Sequence, residues 1–163
     1  MGAPFVSAMP GYPGAMGIAP RVSLVTLGVD DVARSTAFYQ ALGWPLSPAS
    51  VPGEVSFFDT AGALLALYGR DALAADADAD AERGPASGFR GVANAINLES
   101  PADVDAAFVV VRNAGGRIVV EPAPAEWGGY TGYFADPDGH LWEVAHNPAW
   151  PIGPAGRPEL PRA

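Results

Sequence analysis

The chain has 163 residues, 49% of them hydrophobic and four of them Trp, enough to bury one sizeable core and within the usual range of a single domain. Nine Lys plus Arg stand against 18 Asp plus Glu, a formal charge of -9; nucleic acid is excluded as an expected partner, because few cations are present to displace the counterions of a phosphate backbone. The absence of Cys rules out disulfides, thiolate metal sites and thiol nucleophiles.

No apolar run approaches the length of a bilayer span, so no membrane association is expected. The opening stretch "MGAPFVSAMPGYPGAMGIAPR" has neither a basic n-region nor a continuous apolar h-region, and cytoplasm is the expected location. The acidic balance fits either simple solubility or a cationic small molecule.

Residues 1–20 carry Pro4, Pro10, Pro13 and Pro20 and read as an N-terminal arm that is ordered only where it docks, since proline removes backbone donors. "RVSLVTLGVDD" follows as a strand rich in β-branched residues, and "DDVARSTAFYQALGW" as a helix with an acidic start and Gly43 near its end. Val32, Phe38, Tyr39 and Leu42 recur on it at helical spacing. "EVSFFDT" and "ALLALYG" are two strands joined tightly through Thr60, Ala61 and Gly62. An acidic linker is expected over 71–89. Its Asp76, Asp78 and Asp80 do not make a calcium loop, because Ala81 and Ser87 stand where an EF-hand needs Gly and Glu.

The pattern then repeats. "GVANAINLES" is a strand, "SPADVDAAFVVVRNAGG" a helix with Ser100 as N-cap, Pro101 in its first turn and Gly115 at its end, and "RIVVEPA" a strand. "GGYTGYFADPDGHLWEVAH" closes the second half as a hairpin. Setting Gly62 on Gly139 brings Asp59 over Asp136, Leu64 over Leu141 and Leu67 over Val144. The chain therefore reads as α+β, two tandem β-α-β-β-β units over 21–70 and 90–147. Together they form one domain over 21–147, and residues 148–163 make a Pro-rich C-terminal arm.

Two such units, with "LGVDDVARSTAFYQALGW" opening the first and "YFADPDGHLWEV" closing the second, resemble the vicinal oxygen chelate superfamily of glyoxalases, extradiol dioxygenases and bleomycin-resistance proteins. The resemblance implies a cup-shaped mixed sheet with helices on its outer face, and a homodimer. Enzyme members hold a divalent metal on the first and last strands of each unit. Carried over, those positions are Leu24, Ala66, Ala93 and Glu143. The first three have no lone pair to offer and Glu143 alone fits, so no cofactor is expected and a divalent metal is disfavoured.

His140 and His146 do not complete a metal set. On a regular strand each lies three residues from Glu143 and so on the opposite face, and the two are roughly 20 Å apart at ~3.3 Å per residue. Both are expected to face solvent at a turn edge and a strand end.

If Glu143 faces the cup, alternation puts Leu141 and Ala145 beside it, with Leu24, Thr26 and Gly28 on the first strand and Ala93, Ala95 and Asn97 on the fifth. Val25, Leu27, Val29, Trp142 and Val144 then face the helices. Trp127, Tyr130 and Tyr133 are added to the pocket as aromatic surfaces for a planar or cationic ligand, the other reading being that they complete the core or a dimer seam. Neither a Gly-x-Ser-x-Gly elbow nor a phosphate loop is present.

Two functions are carried forward. One is metal-free binding of a small hydrophobic or cationic molecule in the cup. The other is a glyoxalase-type lyase, isomerase or dioxygenase with Glu143 as metal ligand or general base.

Overall fold

The two helices foreseen from the repeat start and stop by the same devices, and these place the strands between them. The computed structural model describes residues 22–77 and 91–160; the N-terminal arm, and Asp78 and Asp80 of the acidic linker, lie outside the described residues. The first unit comprises β1 (Leu24–Val29), α1 (Val32–Ala41), β2 (Val55–Asp59) and β3 (Leu64–Gly69). Then come α2 (Arg70–Asp76), β4 (Ala93–Asn97), α3 (Pro101–Asn113), β5 (Arg117–Pro124), β6 (Tyr130–Ala135) and β7 (Leu141–His146).

Asp31 caps α1 by accepting from the Arg34 amide, and Ser100 caps α3 by accepting from the Asp103 amide. Each helix ends in the same pair of reversed bonds. Gly43 and Trp44 donate to Gln40 and Tyr39 after α1, and Gly115 and Gly116 donate to Arg112 and Val111 after α3. Gly43 and Gly115 sit at φ +90° and +88°, a conformation glycine adopts without steric cost.

The strands form two mixed sheets, ordered β1-β3-β2 and β4-β7-β6-β5. In each, the first strand runs parallel to the last, and the last pairs antiparallel with the strand before it. The second unit has its full set of four strands. In the first, the strand after the helix is reduced to an isolated bridge between Leu46 and Phe58.

Residues 70–76, which the sequence reading leaves as strand end and linker, are helical instead. Helix α2 packs against β1 and β3, on the face away from the core. A Cβ on Gly28 would lie 3.3 Å from Leu73 and 3.4 Å from the Arg70 backbone, whereas its neighbours Leu27 and Val29 point into the core.

Val29, Val32, Phe38, Tyr39 and Phe58 of the first unit and Val104, Phe108, Phe134, Trp142 and Val144 of the second share one buried cluster. At about 1.5–3 kcal/mol for each large apolar side chain removed from water, this cluster is the main source of stability. Val25 packs against it from a half-buried position.

The units are locked by the turn between β6 and β7. Asp136, only 4% exposed, accepts from the Tyr39 hydroxyl at 2.7 Å. That hydroxyl in turn accepts from Trp142 Nε1 at 3.0 Å. Asp138 accepts from the Asp30 amide at 2.8 Å, Arg34 Nη2 at 2.7 Å and Ser35 Oγ at 2.5 Å.

Burial pushes the Asp138 carboxyl up, but the Asp30 amide, the Ser35 hydroxyl and the Arg34 guanidinium outweigh it and hold the group below the usual carboxylate range. A lowered native pKa adds stability that is present above the unfolded-state value and is lost as pH falls through the folded one. Asp138→Asn is expected to cost about 1–3 kcal/mol near neutrality and to flatten the acid limb of a stability-versus-pH curve measured by denaturant unfolding. An acid limb of wild-type slope in the variant would contradict this.

Tyr39→Phe leaves the buried Asp136 carboxylate and Trp142 indole short of a partner. A loss of about 1–3 kcal/mol is expected in the same unfolding measurement.

Candidate functional site

Register decides which side chains meet Glu143. Across the second sheet Ala95 pairs with Glu143, Glu143 with Tyr133, and Tyr133 with Val120, so these four form one row on one face. The next row is Asn97, Ala145, Thr131 and Ala123, and the row on the other side begins Ala93, Leu141, Ala135. Helix α3 covers the opposite face, where Val104 and Phe108 meet the buried Phe134 and Val144. Glu143 therefore stands half-buried on an open, mostly apolar face.

Glu143 Oε1 accepts from the Thr131 hydroxyl at 2.8 Å. Thr131 lies on the neighbouring strand one row away, within reach of a diagonal contact. Burial first, and then the Glu143 carboxylate, raises the pKa of the Tyr133 phenol. The phenol thus stays neutral and available as a donor over the physiological range. The arrangement is one fixed carboxylate between a hydroxyl and a phenol, with Leu141, Ala93 and Ala95 around it.

Of the pocket residues expected from sequence, the structure brings Glu143, Tyr133, Leu141, Ala93 and Asn97 together on this face. Leu24 and Thr26 occupy the corresponding face of the first sheet, with Leu24 paired to Leu64 and Thr26 to Ala66.

Tyr130 is not among them. It lies three residues from Tyr133 and so points to the helix side, where its hydroxyl donates to Asp105 of α3 at 2.9 Å. That hydrogen bond, followed by burial, raises its pKa. Trp127 sits in the turn between β5 and β6, 53% exposed, with its ring over Gly129. Thr131 was missed, although period-two alternation along "YTGYF" already joins it to Tyr133 and parts both from Tyr130.

The histidines do not face solvent as expected. His140 lies just before β7, and its Nε2 is 2.9 Å from the Gly28 carbonyl. His146 Nδ1 is 3.1 Å from the Leu98 carbonyl. His140 thereby ties the start of β7 to β1 of the first sheet, and His146 ties its end to the residue that follows β4.

A divalent metal fits these residues poorly. Leu24, Ala66 and Ala93 present no donor, and the Thr131 hydroxyl already uses Glu143 Oε1. Among the described residues no three His, Asp or Glu side chains converge. No helix among them is long and apolar enough to cross a membrane.

Paired sheets built from repeated units, with this face on the second, define a glyoxalase-type fold. The family model described as the Glyoxalase/Bleomycin resistance protein/Dioxygenase superfamily matches residues 21–144, and the chain belongs to that superfamily. It is similar to the solved structure of a glyoxalase-related enzyme from Fulvimarina pelagi, at 32% identity over 87% of this chain and 99% of that one, with a TM-score of 0.75. A glyoxalase/bleomycin resistance protein/dioxygenase from Nocardioides is 28% identical over 80% of this chain and 86% of its own, with a TM-score of 0.67. Lactoylglutathione lyase from Agrobacterium tumefaciens shares the fold at 21% identity over 79% of this chain and 95% of its own, with a TM-score of 0.60. Among curated proteins, none matches the sequence.

Replacing Glu143 by Gln removes the charge beside Tyr133 and keeps the shape. The Tyr133 phenol pKa is expected to fall toward its ordinary value, read from its ring resonances in an NMR titration. An unchanged value would separate the two side chains.

Proposed function

We propose that the chain is a binding protein of its superfamily that takes up a small hydrophobic or cationic molecule on the Glu143 face without a metal. The observation that supports this reading is the donor set. Where the superfamily resemblance puts four metal ligands, this chain offers one carboxylate, already hydrogen-bonded to Thr131, and three aliphatic side chains. A single oriented carboxylate beside the Tyr133 ring and alanines suits a compact organic cation with an apolar body. A homodimer goes with it: Leu24 and Leu64, paired on the first sheet, are 41% and 42% exposed. A second copy of the chain would cover them and deepen the face into a cup.

A second reading is a lyase, isomerase or dioxygenase in which Glu143 is a general base or one ligand of an unusual metal set. It draws on the Thr131 hydrogen bond, which orients the carboxylate as a base needs, and on relatives described as a glyoxalase-related enzyme and a lactoylglutathione lyase.

The test is elemental mass spectrometry of protein purified without chelator, together with calorimetric titration of a panel of hydrophobic and cationic compounds into wild type and Glu143→Ala. Far less than one metal per chain in both is expected. At least one cationic compound should bind wild type about tenfold more tightly than the variant, the equivalent of about 1.4 kcal/mol. Near-stoichiometric metal that is lost in Glu143→Ala, or turnover that disappears in Glu143→Gln, would favour the enzyme.

A further inference from the structure

The C-terminal segment does more than end the chain. Asn147 starts a turn in which its carbonyl accepts from the Trp150 amide and its side-chain Oδ1 from the Ala149 amide, each at 3.0 Å. Residues 151–159 then fold back on themselves. The Glu159 amide donates to the Pro151 carbonyl and the Gly153 amide to the Arg157 carbonyl, both at 2.9 Å, and Ile152 bridges to Pro158. At its tip Gly156 lies so near the first unit that a Cβ there would come within 2.9 Å of the Ala61 side chain. The segment is thus held at both ends, on the end of β7 and on the turn between β2 and β3.

Between this segment and the ends of β4 and β7 lies a cleft of about 280 Å³. Its apolar walls are Leu98, Pro148, Trp150 and Ile152, and its polar groups are Glu99, His146 and Asn147. The volume is just below the usual range of small-molecule pockets, which fits a fragment-sized ligand. The cleft is separate from the Glu143 face, because His146 is three residues from Glu143 on a regular strand and points to the other side.

The chemistry of the cleft is one-sided. The Leu98 carbonyl can only accept, so the proton of neutral His146 sits on Nδ1, which donates to it at 3.1 Å. Nε2 is left as an acceptor. Glu99 adds a carboxylate at the exposed rim, and Trp150 an indole that is 39% exposed. Among the described residues no Lys or Arg lines the cleft. An acceptor nitrogen, a carboxylate and an aromatic face recognise a cation that carries N–H donors and a small apolar body, and would repel an anion.

We propose that this cleft is a second small-molecule site, specific for primary ammonium compounds with a compact aromatic or aliphatic body. The ammonium donates to His146 Nε2 and pairs with Glu99, while the body packs on Trp150 and Ile152. The site exists only with the C-terminal segment docked, since that segment supplies Trp150 and Ile152.

The test uses the full chain with benzylammonium as probe, followed by two-dimensional amide and indole NMR, with benzyl alcohol and benzoate as neutral and anionic counterparts. Saturable shifts are expected at Glu99, His146 and the Trp150 indole. The affinity read from the Glu99, His146 and Trp150 shifts should fall at least about fivefold in Glu99→Gln and in Trp150→Ala, and be weaker for benzyl alcohol and absent for benzoate. Glu99→Gln replaces an exposed side chain and leaves the fold intact, so it reads binding even where Trp150→Ala loosens the segment. Absence of saturation, benzoate binding as well as benzylammonium, or shifts confined to Thr131 and Tyr133 would overturn the proposal. The last result would at the same time support the Glu143 face, so failure here and failure of the reading above are told apart.

Discussion

Two adjacent carboxylates in one turn hold the halves of this protein together. Asp136 accepts from the Tyr39 hydroxyl and from the amides of its own turn at Asp138 and His140, and Asp138 accepts three donors from the start of α1. A carboxylate withdrawn from water is tolerable only when its lone pairs are satisfied, and here the donors to Asp138, and one of the three to Asp136, come from across the boundary between the units. α1 therefore cannot swing relative to the second sheet without leaving buried charge unpaired. The aromatic cluster follows from that placement: Tyr39 packs edge-on to Trp142 with ring centroids 5.9 Å apart, and Phe134 stacks on Trp142 at 6.3 Å.

The same turn sets the phase of β7. With Gly139 at φ +85° reversing the chain and His140 tied to the Gly28 carbonyl, Leu141 begins the strand in a fixed register. Every later side chain then has its face assigned. Trp142 and Val144 enter the core, Glu143 stands on the open face beside Tyr133, and His146 emerges at the far end against Leu98. One six-residue strand thus supplies the core, the polar centre of one candidate site and the acceptor of another.

The first unit is partly covered where the second stays open. Helix α2 lies over β1 at Gly28, and Arg70 Nε pairs with Asp30 Oδ1 at 2.8 Å; Arg70 is half-buried but Asp30 is well exposed, so the pair contributes little energy and mainly orients the helix. With α2 in place, part of the face opposite the core in the first sheet is occupied by protein. The polar cluster of Glu143, Thr131 and Tyr133 stands on the second sheet, whereas Leu24 and Ala66 at the matching positions of the first are apolar.

The repeat, the two capped helices, the strands and the core face of β1 and β7 were legible in the sequence, because caps, glycine stops and period-two alternation act over a few residues and leave their mark locally. Glu143 was singled out for the same reason: a carboxylate in an apolar strand is visible without a fold. What could not be read there was pairing. Thr131 meets Glu143 because β6 and β7 adopt one register, Tyr130 is carried to Asp105 because α3 covers that side, and both histidines find backbone carbonyls far away in the chain. The helical start of the linker and the docking of the C-terminal segment on Ala61 are likewise products of contact. Each depends on a surface that does not exist until the two sheets and their shared core have assembled, so only the tertiary structure decided them.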